Sequence, residues 1–279
     1  MQLLVDPECY SPYPEIDKLS EAFFEDRMKL PIDVLSQFIK IDYSKPENRQ
    51  FIDLQRTYCK PYINREALLN NQYYYPKNGM FGLTSAILYH SIILRFIPNR
   101  IIEIGSGFST LLASEILGRT FKLSTIDIDI TKFRDIFKKL NIDFIEVRIQ
   151  DWNTLWIIDS LRENDILFID TTHVIKAGGD VNYIFFNILP KLKKGVLVHI
   201  HDIFLPYEYP REWIVDKKRA WNEQYFLAAF LHNNEDWKII WAENDCRLRQ
   251  PEIFNDIFKD ATAFEDNYYS SSLWLQKIK

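Results

Sequence analysis

From about residue 80 the chain alternates between short apolar runs of strand type and longer segments with helical spacing, and this alternation restricts the fold more than any other feature. MFGLTSAILYHSIILRF carries apolar residues at helical spacing, IIEIG is a short buried strand, and STLLASEILGR is helical again. FKLSTIDID, IDFIEVRI, DILFID and GVLVHIHDI read as further strands, with TKFRDIFKKL and VNYIFFNILPKLKK as helices among them. A loop rich in proline and aromatics leads to a helix, RAWNEQYFLAAFLHNN, and then to two last strands, WKIIWA and SSLWLQKI. Alternation with short connections implies a parallel sheet covered by helices on both faces. Ligands of such open sheets bind beyond the carboxyl ends of the strands, where the strand order reverses.

The stretch IIEIGSGFST, residues 101–110, stands at the first of these strand ends. Only 8 of the 279 residues are glycine, yet Gly105 and Gly107 fall one residue apart here. Missing Cβ atoms permit a tight turn and let a ligand approach the backbone. The helix that follows offers free N–H groups at its start. A dinucleotide-binding loop would have a third glycine where this chain has Thr110, so the pyrophosphate fingerprint is incomplete. Glu103 places a carboxylate beside the turn, which suits a ligand with a positive amino group better than a diphosphate. Asp127 ends the second strand, where an acid can accept both ribose hydroxyls. Asp151 follows the third strand, within reach of an adenine edge, with Trp152 beside it for stacking. Taken singly, Asp127, Asp129 and Asp151 also read as helix caps or turn residues.

The ordered set of E-x-G-x-G after a first strand, an acid ending the second and an acid after the third resembles the class I S-adenosylmethionine-dependent methyltransferases. The resemblance covers roughly residues 80–279. It implies a Rossmann-like, seven-stranded, mostly parallel α/β sheet with helices on both faces and the last strand antiparallel. It also implies that Glu103, Gly105, Ser106 and Gly107 line the methionine end of S-adenosylmethionine, that Asp127 binds its ribose, and that Asp151 and Trp152 bind its adenine.

A second cluster lies in FIDTTH, residues 168–173, and VHIHDIF, residues 198–204. If the fourth and fifth strands are neighbours, about 4.8 Å apart, Asp170 and Asp202 end side by side at the carboxyl edge. Two carboxylates so close repel, and a divalent cation resolves that repulsion. His201 is a further candidate ligand, and His173 is expected to point toward the same edge. His199 shares a face with His201 but lies deeper, as a core histidine does. The cluster is similar to that of the metal-dependent small-molecule O-methyltransferases of the macrocin and catechol types. That likeness implies a metal on Asp170, His201 and Asp202, with Asp170 and His173 in the catalytic machinery and His173 as the base. His201 stands where the macrocin type has an acid, which moves the expected divalent ion away from magnesium and toward manganese or another transition metal. The segment HVIKAGGDVNY contributes either a substrate contact or, through Asp180, a helix cap. In FLPYEYPREW, Arg211 and Glu212 are candidates for reading a polar substrate.

The expected activity is therefore methyl transfer to a hydroxyl of a small molecule, a sugar or polyol among the candidates. The alternatives are a nicotinamide-dependent oxidoreductase and a binding protein that keeps the fold without the chemistry. A net charge of −5 without a Lys/Arg block argues against nucleic acid. No apolar run approaches the roughly 18 residues of a membrane span. Cys9, Cys59 and Cys246 are scattered, as in a cytoplasmic protein with reduced thiols, and no secretory leader is evident. Residues 1–78 are rich in proline and tyrosine and read as a helical and loop extension, a cap or a contact between copies. Residues 79–279 read as the cofactor-binding domain.

Overall fold

The computed structural model describes residues 14–45, 73–117, 122–262 and 270–279. Seven strands form one sheet: β1 (Arg100–Ile104), β2 (Lys122–Asp127), β3 (Asp143–Glu146), β4 (Ile166–Ile169), β5 (Leu197–Ile200), β6 (Trp237–Ala242) and β7 (Leu273–Lys277). Their order across the sheet is β3-β2-β1-β4-β5-β7-β6. β1 to β5 pair in parallel, and β7 runs antiparallel to both β5 and β6. The order reverses between β1 and β4, so the crevice for a ligand opens above the carboxyl ends of those two strands. All seven expected strands are present, and the last is the antiparallel one.

Burial explains the strand composition. Every residue of β4 and β5 is buried, as in a sheet covered on both faces, so ILFI and LVHI carry no polar alternation except His199. Ten helices lie among the described residues. Two precede the sheet: α1 (Glu21–Glu25) and α2 (Ile32–Ile39). Then come α3 (Leu83–Phe96), α4 (Phe108–Leu117), α5 (Arg134–Leu140), α6 (Thr154–Ser160), α7 (Asp180–Asn187), α8 (Glu223–Leu231), α9 (Glu243–Arg249) and α10 (Pro251–Thr262). Residues Leu83 to Ile93 of α3 are buried on all sides, which is why that helix is apolar around most of its circumference.

Three helices are absent from the sequence reading. The short α6 is capped by the Asn153 side chain, which accepts from Leu155 N–H. α9 buries Glu243, Asn244 and Asp245, so an apolar periodicity search passes over it. α10 begins at Pro251, the residue type favoured in a first helical turn.

The described part of the N-terminal extension is packed onto the sheet domain. Val34 and Phe38 of α2 are buried in the main core. The Tyr43 ring lies 4.8 Å from that of Trp241, and its hydroxyl donates to Ala242 O and to the Asp245 carboxylate. Leu19 and Phe24 pack on a second apolar cluster of Phe204, Tyr209, Trp213 and Ile214. The remaining extension residues, Cys9 and Cys59 with them, lie outside the described residues. Among the described residues no helix is long and apolar enough to cross a membrane.

Candidate active site

Gly105 follows β1 directly and has φ +95°, a conformation open mainly to glycine. A Cβ there would lie 1.9 Å from the Asp170 carbonyl oxygen. The turn is held against its neighbours by Gly105 N–H donating to Ile126 O and Asp170 N–H donating to Ile104 O, each at 2.9 Å. The sequence reading attributes both glycines to ligand approach, but at Gly105 the chain's own β4 end fills the space. Gly107 is different: its Cβ would meet only the Phe133 ring, at 3.6 Å, an ordinary contact.

Glu103 does not face the crevice. It is fully buried. It accepts hydrogen bonds from Thr110 Oγ1 at 2.5 Å, Tyr89 Oη at 3.0 Å and Ser109 Oγ at 3.3 Å. Burial raises its pKa to about 7 against those three hydrogen bonds. In this arrangement the carboxylate ties α3 and α4 to the central strand. Asp127, at the end of β2, is half-buried and accepts from Ser106 Oγ at 2.7 Å and from Asp129 N–H at 3.1 Å. Asp151 is exposed and paired with Arg148 at 2.6 Å, while Trp152 packs on the core. The Trp152 Nε1 is buried without a partner. Ser106, Gly107 and Asp127 thus border one stretch of the crevice above β1 and β2, whereas Asp151 and Trp152 stand beyond β3.

The second cluster forms as the strand order requires. Ile169 is opposite Ile200, and His201 N–H donates to Ile169 O, so Asp170 and His201 leave the sheet side by side. Asp202 turns with φ +55°, and its Oδ1 accepts from Ser271 Oγ at 2.9 Å. His173, φ +58°, folds back toward both acids. Its Nε2 lies 3.2 Å from Asp170 Oδ1 and 3.8 Å from Asp202 Oδ2. Its Nδ1 lies 2.9 Å from Glu223 Oε2, at the start of α8. Trp221 covers the imidazole with ring centroids 4.2 Å apart. Burial opposes charge on this histidine, but the Asp170 and Glu223 hydrogen bonds prevail and hold its pKa well above the usual value. For Asp170, burial pushes upward, and the His201 charge and the His173 hydrogen bond outweigh it, leaving the acid below its ordinary range. The Asp170 side chain keeps 38% exposure, which makes it the accessible end of the chain Glu223–His173–Asp170.

His199 is a core histidine. It is stacked 4.0 Å from Phe168, bonded through Nε2 to Ser272 Oγ, and pushed well below its usual pKa by burial. Arg211 pairs with Glu21 and Glu212 with Lys217, so both expected substrate readers are engaged in surface ion pairs. Asp180 holds the Thr172 hydroxyl and N–H instead of facing the crevice. Glu223 is absent from the sequence reading, since nothing marks a glutamate opening a helix 50 residues after its partner.

The expected metal meets a different arrangement. Among the described residues no group of three or more His, Cys, Asp or Glu side chains stands where it could hold an ion. The repulsion between Asp170 and Asp202 is met by the imidazole of His173, whose protonated form donates from both nitrogens and offers no lone pair to a metal. In this arrangement the imidazole of His173, and not an ion, stands beside the two carboxylates. The left-handed backbone at His173 accompanies this placement of the ring near both acids.

Residues 102–203 match the family described as a methyltransferase domain. An uncharacterized protein of Archaeoglobus fulgidus is 31% identical over 169 residues, which are 56% of this chain and 73% of that protein. Among solved structures, a methyltransferase of Podospora anserina bound to S-adenosylhomocysteine is 13% identical, with 97% of this chain and 99% of that one covered, at a TM-score of 0.46. The plantazolicin methyltransferase BpumL, in complex with a desmethyl-plantazolicin analogue and S-adenosylhomocysteine, is 16% identical with 88% and 98% covered, at a TM-score of 0.49. The O-methyltransferase TomG from Streptomyces achromogenes is 12% identical with 89% and 96% covered, at a TM-score of 0.44.

Proposed function

Because residues 102–203 match a methyltransferase-domain family and the sheet carries the strand order described above, we propose that the chain is a class I S-adenosylmethionine-dependent methyltransferase that methylates a hydroxyl of a small molecule, with His173 receiving the hydroxyl proton. The observation that carries this reading is the line Glu223–His173–Asp170 at the carboxyl end of β4, next to the Gly105 turn. When bound, S-adenosylmethionine supplies a methyl group on a sulfonium, already activated for in-line displacement. The crevice suits that cofactor: Gly107 leaves space beside the turn, and Asp127 has half-exposed oxygens for ribose hydroxyls. Asp151 and Trp152 are proposed for the adenine end, and Glu103 for holding the turn in shape from behind.

The acceptor hydroxyl binds at Asp170, the exposed carboxylate of the line. His173 then takes its proton on Nε2, while Nδ1–H stays on Glu223. Glu223 fixes the ring and stabilises the imidazolium that forms, so it is a positioning residue. As the C–O bond forms and the C–S bond breaks, the positive charge of the sulfonium is passed to His173 as a proton. The resting imidazole must first release its own proton, which its raised pKa makes harder at neutral pH. Asp202 faces the same Nε2 at 3.8 Å and helps to neutralise the protonated ring, and His201 lies 3.6 Å from Asp202.

The test is calorimetric titration of the purified protein with S-adenosylhomocysteine and, separately, with NADH. Binding of the first alone is expected. Binding of NADH alone would overturn the reading in favour of an oxidoreductase, and binding of neither would favour a protein without the chemistry. A screen of hydroxylated acceptors against wild type and His173→Ala then tests the base. Equal turnover by the two removes His173 from the mechanism.

A further inference from the structure

The turn after β1 is tied to the end of β2 by three hydrogen bonds. Gly105 N–H donates to Ile126 O at 2.9 Å, Thr125 Oγ1 donates to Gly105 O at 2.9 Å, and Ser106 Oγ donates to Asp127 Oδ2 at 2.7 Å. The first two fix the backbone from which Ser106 springs, and the Asp170 carbonyl closes the space on the Cβ side of Gly105. Ser106 is half-buried, and its hydroxyl proton goes to a carboxylate oxygen, which in the ionised acid only accepts. The family resemblance implies that Ser106 lines the methionine end of the cofactor. In the structure its hydroxyl is turned instead to the acid expected at the ribose.

Asp127 is held at both oxygens. Oδ2 accepts from Ser106, and Oδ1 accepts from Asp129 N–H at 3.1 Å. The terminal torsion of an aspartate is broad, so without such donors the plane of the carboxylate swings. An ionised carboxylate has about four lone-pair positions, and these two donors leave about two of them open. The open pair belongs to a half-buried side chain that borders the crevice, and a ribose presents two neighbouring hydroxyls to fill it. The two internal donors are not equivalent. Asp129 N–H comes from the same loop and moves with Asp127, whereas Ser106 comes from the other wall of the crevice and fixes the acid relative to the glycine turn.

We infer that Ser106 is a positioning residue for the cofactor, holding the Asp127 carboxylate in the orientation that accepts the ribose diol. This rests on the methyltransferase reading of the same site and moves Ser106 from the methionine end of the cofactor to its ribose. A carboxylate oriented in advance loses little freedom when the ligand arrives, which favours binding. The sign of the effect is diagnostic. A hydroxyl that blocked a lone pair needed by the ribose would weaken binding, and its removal would strengthen it.

The experiment uses calorimetry on the full-length protein with two probes. S-adenosylhomocysteine carries both ends of the cofactor, and 5′-methylthioadenosine keeps the ribose but lacks the amino acid end. Ser106→Ala is expected to weaken both by the same factor, about ten-fold, as for a hydrogen bond to a charged group. In an Asp127→Asn background the same change is expected to cost much less, because the carboxylate that Ser106 orients is gone. A serine that served only the stability of the turn would lower the melting temperature in both backgrounds and leave ligand affinity in place. Unchanged or tighter binding in Ser106→Ala, a loss confined to S-adenosylhomocysteine, or an equal loss in the Asp127→Asn background overturns the inference and leaves the methyltransferase reading standing. Failure of the wild type to bind S-adenosylhomocysteine overturns both.

Discussion

His173 Nδ1 lies 2.9 Å from Glu223 Oε2, joining the end of β4 to the first turn of α8. The glutamate is almost wholly buried, with one carboxylate oxygen bonded to the ring and the other without a partner. A histidine so held has a fixed orientation and a favoured charge. Its other nitrogen is left to the exposed Asp170 and to whatever binds there.

The first prediction concerns pH. Because the His173 pKa is raised, the neutral base becomes available only as pH climbs through that raised value. The kcat/KM profile is expected to rise on the alkaline side of neutrality and then level. Glu223→Gln removes one of the two carboxylates responsible, so the rise moves to lower pH, and the plateau falls by about 10²-fold or more. A profile unchanged in position in Glu223→Gln would separate His173 from the titration.

The same shift has a consequence for stability. A histidine whose folded pKa is raised contributes stability that is full below its unfolded value of about 6.5 and is lost as pH rises through the folded value. Glu103 acts in the same direction in a lower window. Its pKa climbs from 4.5 to about 7 on burial, so its stability is full below pH 4.5 and lost as pH approaches about 7. That loss is about 3 kcal/mol by linkage. Denaturant titrations of wild type and Glu103→Gln between those limits are expected to diverge by that order, the variant showing the flatter dependence. Parallel curves would mean that Glu103 stays charged in the core.

The two glycines are expected to fail differently. Gly105→Ala forces a Cβ to within 1.9 Å of a backbone oxygen at φ +95°, so a loss of about 2 kcal/mol or more in stability is expected. Gly107→Ala meets only a ring edge at 3.6 Å, so its melting temperature should stay near wild type while S-adenosylhomocysteine affinity drops. Thermal melts with and without the ligand distinguish them. A stable Gly105→Ala protein would contradict the turn described above.

Chelation supplies another test. The imidazole between Asp170 and Asp202 does the work expected of a cation, so EDTA treatment should leave both melting temperature and turnover unchanged. Added magnesium, manganese or zinc should not raise the melting temperature. Loss of turnover on chelation, restored by one of these ions, would reinstate the metal.

Much of this was legible in one dimension. The apolar runs IIEIG, DILFID and GVLVHIHDI are each short and buried, and burial on both faces is what a covered parallel sheet demands. Asp127, Asp170 and Asp202 could be assigned to strand ends because the strand pattern marks where each run stops. Local signals did not reach the partners. Glu223 carries no motif, and α9 buries acids that a periodicity search treats as surface.

The sequence by itself determined the order of the strands, the glycine turn and the acids at the carboxyl edge, because those depend on local spacing and burial. Only the tertiary structure decided what each group faces. It turned Glu103 inward onto three hydroxyls, set the backbone of Asp170 against Gly105, and brought His173 between two acids in place of an ion. It also set Trp221 against His173. The reason is physical: a side chain's charge and partner depend on neighbours in space, and those come from elements that the chain reaches only after folding.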